Sequence, residues 1–302
     1  MVVSFVLFSF LYLAPGDPLA VLIGGHPIPP AQIAALRAHY HLDQPFLVQF
    51  GYWFGDVLHG DFGPSIASQA PVWQVIRPKI LPTFELAAYA WVLVLLFGVG
   101  GGVVAAVRRG KVADVLISGT MLVGASIAQY VSAIVLIVVF ASHLGWFPVF
   151  GLGSGFVDRL DHLTLPAVAL SLSLCAFVGR ITRAGMVDAL ELDYVDTARS
   201  RGLGRQSVIL RHALRSALVP IVTVGGLAVG YLITGAVIVE FTFGLNGLGY
   251  ALITAIQDKD FAVVQAIALI FTAVFVVANL VADMLYVVID PRVRLRRSGA
   301  AP

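Results

Sequence analysis

Asp193-Tyr194-Val195-Asp196-Thr197-Ala198-Arg199-Ser200-Arg201-Gly202-Leu203, with Arg211-His212-Ala213-Leu214-Arg215 close behind, stands between two uncharged runs, residues 163–179 and 217–239. Runs of this kind recur at 86–107, 115–142 and 261–282. Each is near or above the roughly 17–25 residues a helix needs to cross about 30 Å of hydrocarbon. Inside a bilayer no water satisfies backbone N–H and C=O groups, so such runs must be helical. The chain is 59% hydrophobic and 12% charged, with a mean hydropathy of +0.93. A soluble domain carries about twice that charge fraction. The sequence therefore describes an all-α, polytopic membrane protein.

Residues 2–14 form a further apolar stretch, too short to span unaided at ~20 Å. It lacks the basic flank of a signal peptide. Either the first turns of a transmembrane helix precede Met1, or the helix begins inside the bilayer; a truncated first helix over 1–14 is the expectation. The single cysteine, Cys175, lies in an apolar run and reads as a small buried hydrophobe, with no intrachain disulfide possible.

Sorting cations by loop fixes an orientation. One set of loops holds Arg108, Arg109, Lys111, the seven arginines from Arg180 to Arg215, and Arg292, Arg294, Arg296 and Arg297. The alternate loops hold only Arg37, Arg77, Lys79, Arg159 and Lys259. The positive-inside rule places the first set in the cytoplasm. Counting residues 1–14 as a span gives six transmembrane helices, with both termini cytoplasmic and residues 15–82 outside. Within 15–82, Ile33, Leu36 and Tyr40, then Leu47, Phe50, Phe54, Val57 and Leu58, follow helical spacing. Two or three short amphipathic helices are expected there, either docking an external partner or simply covering the bundle.

The run 115–142 is expected as one helix of ~42 Å. Ser126, Gln129 and Ser132 recur at helical spacing near its middle. Such a stripe either lines a pathway or makes interhelical hydrogen bonds.

From Asp188 to Pro220 the pattern predicts a surface helix, a turn and a second helix entering the membrane. Ala198 keeps one face small, and Gly202 suits the left-handed conformation that stops a helix. Leu203 and Val208 supply apolar side chains, and arginines surround them. Two readings fit: a knob for another protein, or an interfacial helix held to anionic membrane lipid.

Asp196-Thr197-Ala198-x-x-x-Gly202 resembles the Glu-Ala-Ala-x-x-x-Gly motif of binding-protein-dependent ABC importer permeases, departing at its first two positions. The resemblance extends along nearly the whole chain, to the dipeptide, oligopeptide and nickel branch. It rests on Ala14-Pro15-Gly16-Asp17-Pro18, Leu42-Asp43-Gln44-Pro45, Gly60-Asp61-Phe62-Gly63, Glu240 through Phe243, Gly247-Leu248-Gly249 with Asp260 and Gln265, and Tyr286 with Asp290-Pro291-Arg292-x-Arg294. It implies the type I importer permease fold, with residues 83–302 as the permease domain and a cytoplasmic coupling loop at 183–215. It implies a bacterial cell membrane and three kinds of partner: a second homologous permease, two P-loop ATPase subunits and an extracytoplasmic substrate-binding protein. Asp196, Ala198, Arg199, Arg201, Gly202 and Leu203 would form the ATPase-coupling site; Ser126, Gln129 and Ser132 are the pathway-lining candidates. Peptides are the expected cargo, with nickel, heme or another small solute as alternatives.

No P-loop is present: Gly110-Lys111 is followed by Val112, and position 105 is alanine. ATP and Mg are therefore expected in partner chains, and no cofactor in this one. Six of the seven histidines fall outside or at that edge, without a dense cluster. Gly124-Ala125-Ser126 resembles the start of a rhomboid-type serine motif, but Ile127 replaces the needed glycine; no His-Glu-x-x-His occurs. An intramembrane enzyme is thereby disfavoured. Nothing points to nucleic acid. Gly225, Gly226, Gly230 and Gly235 permit close helix approach, toward a second permease or within the chain.

Overall fold

The computed structural model describes residues 2–13, 29–39, 41 and 43–289. The quoted stretches at 14–18 and 290–294 lie outside them, as does Leu42. The regular elements described are all helices: α1 (Val2–Leu13), α2 (Pro30–His39), α3 (Phe46–Leu58), α4 (Val72–Val107), α5 (Val112–Ser126), α6 (Gln129–His143), α7 (Phe156–Leu190), α8 (Asp193–Ser200), α9 (Leu214–Phe243), α10 (Leu248–Gln257) and α11 (Phe261–Ile289). π-helical turns occupy Val94–Val99 in α4, Ile137–His143 in α6, and Val208–Ala213 ahead of α9.

Among the described residues, four helices are long and apolar enough to cross a membrane: Val72–Val107, Phe156–Leu190, Ile221–Phe243 and Phe261–Met284. The run 115–142 departs from expectation. It is not one helix but two, α5 and α6, bent by 105° at Ile127-Ala128. Both joint residues are extended, with φ −88° and ψ 125° at Ile127 and φ −65° and ψ 142° at Ala128. Counting this pair as one span gives five among the described residues by length and composition. The 12-residue α1 is a helix of ~18 Å.

The chain forms two compact units. One comprises Met1–Phe84 with Gly244–Val274, the other Glu85–Phe243 with Phe275–Pro302. The first unit has two apolar centres. Val72 and Ile76 of α4 pack with Leu248 and Ala251 of α10 and Val263 and Ile267 of α11. Phe8 of α1 meets Trp53 of α3, ring centroids 5.2 Å apart, and Phe5 meets Phe50 edge-on. Turn ends are capped from a distance: Thr83 Oγ1 accepts the Leu248 N–H at 2.8 Å, and Lys79 donates to Asn246. Buried Asp260 accepts hydrogen bonds from the Ser65 hydroxyl, the Ala67 N–H and the Val263 N–H, so one side chain starts α11 and holds the loop 65–68.

The second unit is organised on α7, which packs against α4, α5, α6 and α9. Glycines set its closest approach. A Cβ on Gly102 would lie 2.5 Å from the Gly179 carbonyl oxygen and 2.7 Å from Thr182 Cβ. A Cβ on Gly98 would lie 3.2 Å from the Cys175 carbonyl oxygen. This is a small-xxx-small contact, the packing that lets membrane helices touch backbone to backbone. Gly226 and Gly230 face Ala282 and Phe275 of α11, and Gly235 faces Gln129 and Leu170. Those three glycines of α9 thus serve packing within the chain. Gly225 alone opens onto space, in an apolar cleft of ≈ 450 Å³ bordered by Trp91, Val99, Leu218, Val222 and Ala282.

Candidate functional site

The arginine-rich stretch folds as its pattern predicts. The 35-residue α7 ends at Leu190, Glu191-Leu192 turn the chain, and α8 follows. Gly202 has φ +77°. The Leu203 N–H reaches back to the Ala198 carbonyl at 3.3 Å, the six-to-one bond of a Schellman stop. Without a Cβ this left-handed backbone is free of the ~1–2 kcal/mol that an L side chain adds.

What holds α8 in place is its inner face. Val195 and Ala198 are buried with Val208, packed against Leu190. Val208 and Ala213 are both buried five residues apart, the spacing of the i→i+5 turn found there. Ala106, Met186, Ala189, Ala213, Ala217 and Ile221 form the layer beneath. The Tyr194 hydroxyl meets Ser216 Oγ at 2.7 Å, and the Arg205 guanidinium donates to the Val107 carbonyl at 3.5 Å. Tyr194 and Thr197 of α8 are exposed, as are Arg201, Leu203 and Leu210 after it. Val208, read from sequence as a side chain for a partner, is turned inward. Ala198 also faces its own chain, so its smallness serves close seating of α8. Asp196 and Arg199 lie on α8, with side chains outside the described residues.

Ser126, Gln129 and Ser132 do not form a stripe, because the break falls between the first two. Ser126 ends α5 and donates to the Leu122 carbonyl; Ser132 is buried and donates to the Gln129 carbonyl at 2.8 Å. Gln129 opens α6 beside Gly235.

Sequence reading missed a polar arrangement at the end of α7. Arg183, counted there with the loop cations, is on the helix. Its Nε and Nη2 donate to the two carboxylate oxygens of Asp114 at 2.7 and 2.8 Å. Asp114 is buried in the first turn of α5 and also accepts the Gly110 N–H at 3.0 Å and the Ser118 hydroxyl at 3.2 Å. Arg109 and Glu191 pair at the surface nearby. Asp114, the one acid opening an otherwise uncharged run, was the signal available. Farther along, Glu85 of α4 pairs with Arg159 of α7 at 2.8 Å, and Tyr89 meets Thr164 at 3.1 Å. Among the described residues, no three His, Cys, Asp or Glu side chains gather as metal ligands do.

Comparison with known proteins decides the family. Residues 98–295 match the family model described as binding-protein-dependent transport system inner membrane component, and residues 1–87 match its N-terminal companion. The chain belongs to the binding-protein-dependent transport permeases. It is 37% identical to the glutathione transport system permease protein GsiC of Salmonella typhimurium LT2 over 297 residues, 98% of this chain and 95% of that one. The GsiC protein of Escherichia coli K12 is equally similar over 296 residues, covering 98% and 94%. Among solved structures, the inward-facing MetNI methionine ABC transporter matches with a TM-score of 0.61 at 14% identity, over 72% of this chain and 97% of that chain. An amino acid ABC transporter matches with a TM-score of 0.52 at 18% identity, over 72% and 94%. This permease is thus a multi-pass inner membrane subunit of an ABC importer with the importer permease fold. Importers of this kind work with ATPase and binding-protein partners, and ATP hydrolysis belongs to the ATPase subunits.

Proposed function

We propose that this permease forms half of a translocation pathway for peptides, completed by a second homologous permease and driven by alternating access. The observation that carries the substrate class is the 37% identity over 98% of the chain to permeases named for glutathione, itself a tripeptide. Nucleotide binding to two ATPase subunits would favour one of two arrangements of the bundle. The contact is α8 with its Gly202 stop: an exposed turn presenting Tyr194, Arg201 and Leu203, with Asp196 and Arg199 on the same short helix. Ser126 and Gln129, at the break, are the pathway-lining candidates; Ser132 is committed to its own backbone.

The charge distribution supports cytoplasmic termini and a cytoplasmic α8. If α1 and the α5–α6 pair each cross the membrane, the six crossings return the chain to the side on which it began.

The test is uptake by proteoliposomes holding the permease with the chains that co-purify with it. ATP-dependent accumulation of labelled glutathione or a dipeptide, not of nickel, is expected. Nickel or heme uptake without peptide uptake would overturn the peptide assignment. Normal uptake by Gly202→Asp would overturn the role given to α8.

A further inference from the structure

Helix α7 leads directly into α8, and it is fastened to α5 at both ends of that half-helix. At one end stands the bidentate Asp114–Arg183 pair, supported by the Gly110 N–H and the Ser118 hydroxyl. At the other, Ser173 of α7 shares its hydroxyl between the Ile127 carbonyl at 3.3 Å and the Gly124 carbonyl at 3.5 Å. These are carbonyls at the break, where the intrahelical ladder ends. Between the two ends, Met121 packs onto Gly179, and a Cβ on Gly124 would lie 3.3 Å from Leu172. Past the two extended residues Ile127-Ala128, Gln129 at the start of α6 sits on Gly235 of α9. A charge-assisted bidentate pair is shorter and roughly twice as strong as a neutral hydrogen bond, and its planar geometry fixes the two helices in register. Two non-helical residues between helices are the usual form of a hinge.

We propose that Asp114, Arg183 and Ser173 are positioning residues that make α5 one rigid piece with α7, so that displacement of α8 is carried into the bilayer and taken up at Ile127-Ala128. The inference rests on the coupling role proposed for α8 and adds to it a lever and a joint.

The test uses spin-label pairs on a Cys175→Ser background. Leu116 with Ala184 reports α5 against α7, and Val138 with Phe177 reports α6 against α7; all four positions are exposed. In the assembled importer, nucleotide should shift the first distance by less than about 2 Å and the second by roughly 5 Å or more, the scale of a helix displacement. Equal shifts in both, or a larger shift in the first, would overturn the lever; a fixed second distance during active uptake would overturn the joint.

The tether is also testable in the chain alone. Asp114→Asn should broaden the α5–α7 distance distribution and leave α6–α7 unchanged, and an unbroadened distribution would count against it. In the assembly, Arg183→Lys should reduce peptide transported per ATP hydrolysed by roughly ten-fold, within the range of coupling energies between distant sites. The paired Asp114→Arg/Arg183→Asp exchange should recover part of that ratio. A purely structural role would lower transport and hydrolysis together and leave the ratio unmoved, which would refute the positioning role. Failure of the coupling reading itself would show separately, as loss of ATPase chains from the purified assembly.

Discussion

Asp260 in the first unit and Asp114 in the second are both buried and both multiply hydrogen-bonded, yet their donors differ. Asp260 is held by a serine hydroxyl and two backbone N–H groups, all neutral. Asp114 is held by a guanidinium through two bonds, with one backbone N–H and one hydroxyl in support. The first arrangement closes loops around a helix start. The second joins two membrane helices whose own surfaces are apolar. The carboxylate that caps a loop is met by directed neutral donors; the one that binds two helices together is met by a counter-charge as well. The surrounding packing follows the same division, with aromatic rings and α10 in the first unit and glycine contacts between α4 and α7 in the second.

The largest effect that this contrast predicts is from Arg183→Ala, which strands the Asp114 charge. The unfolding midpoint of the detergent-solubilised protein should fall by about 10 °C, more than for any change at Asp260. Next comes Gly102→Ala, whose methyl would strike the Gly179 carbonyl; about 1–3 kcal/mol of overpacking is expected, read in the same melting experiment. Gly225→Ala, with open space before it, should not destabilise and serves as its control. Asp260→Asn keeps an acceptor for neutral donors and should cost about 1 kcal/mol, since no cation is left unpaired. If Asp260→Asn proved as damaging as Arg183→Ala, the distinction between cap and counter-charge would fall. Gly202 comes last among the substitutions expected to cost stability. Its replacement should order as Val, then Ala, then Asn, following their tolerance of φ near +77°, with roughly 1 kcal/mol of local strain and a melting midpoint barely moved. Transport should decline in that same order, measured as peptide uptake.

The spans were legible because hydrocarbon imposes one solution on an uncharged run. The stop at Gly202 was legible because few residues accept its backbone. The break at Ile127-Ala128 was not, since neither proline nor glycine marks it. It depends on Ser173, 46 residues away, whose hydroxyl donates to the Ile127 carbonyl, and on Gly124 fitting against Leu172. The Asp114–Arg183 pair was hidden for a related reason. Counting cations by loop assumes that they lie in loops, whereas α7 runs on for two turns beyond Arg183. The inward turn of Val208 was concealed by a π turn that hydrophobic spacing at 3.6 residues does not anticipate. The role of Gly98 and Gly102 was within reach, as a four-residue repeat of glycine in a span.

Gly202 also bears on how this surface can be rewritten. The outline of α8 is held by one torsion angle and by an inner face of small apolar groups, not by the letters on its outside. Thr197, exposed on that outside, can therefore be exchanged without altering the shape of the turn. If α8 is the contact proposed above, pairing with a particular ATPase can be spelled in those outer letters while the mechanical part stays interchangeable.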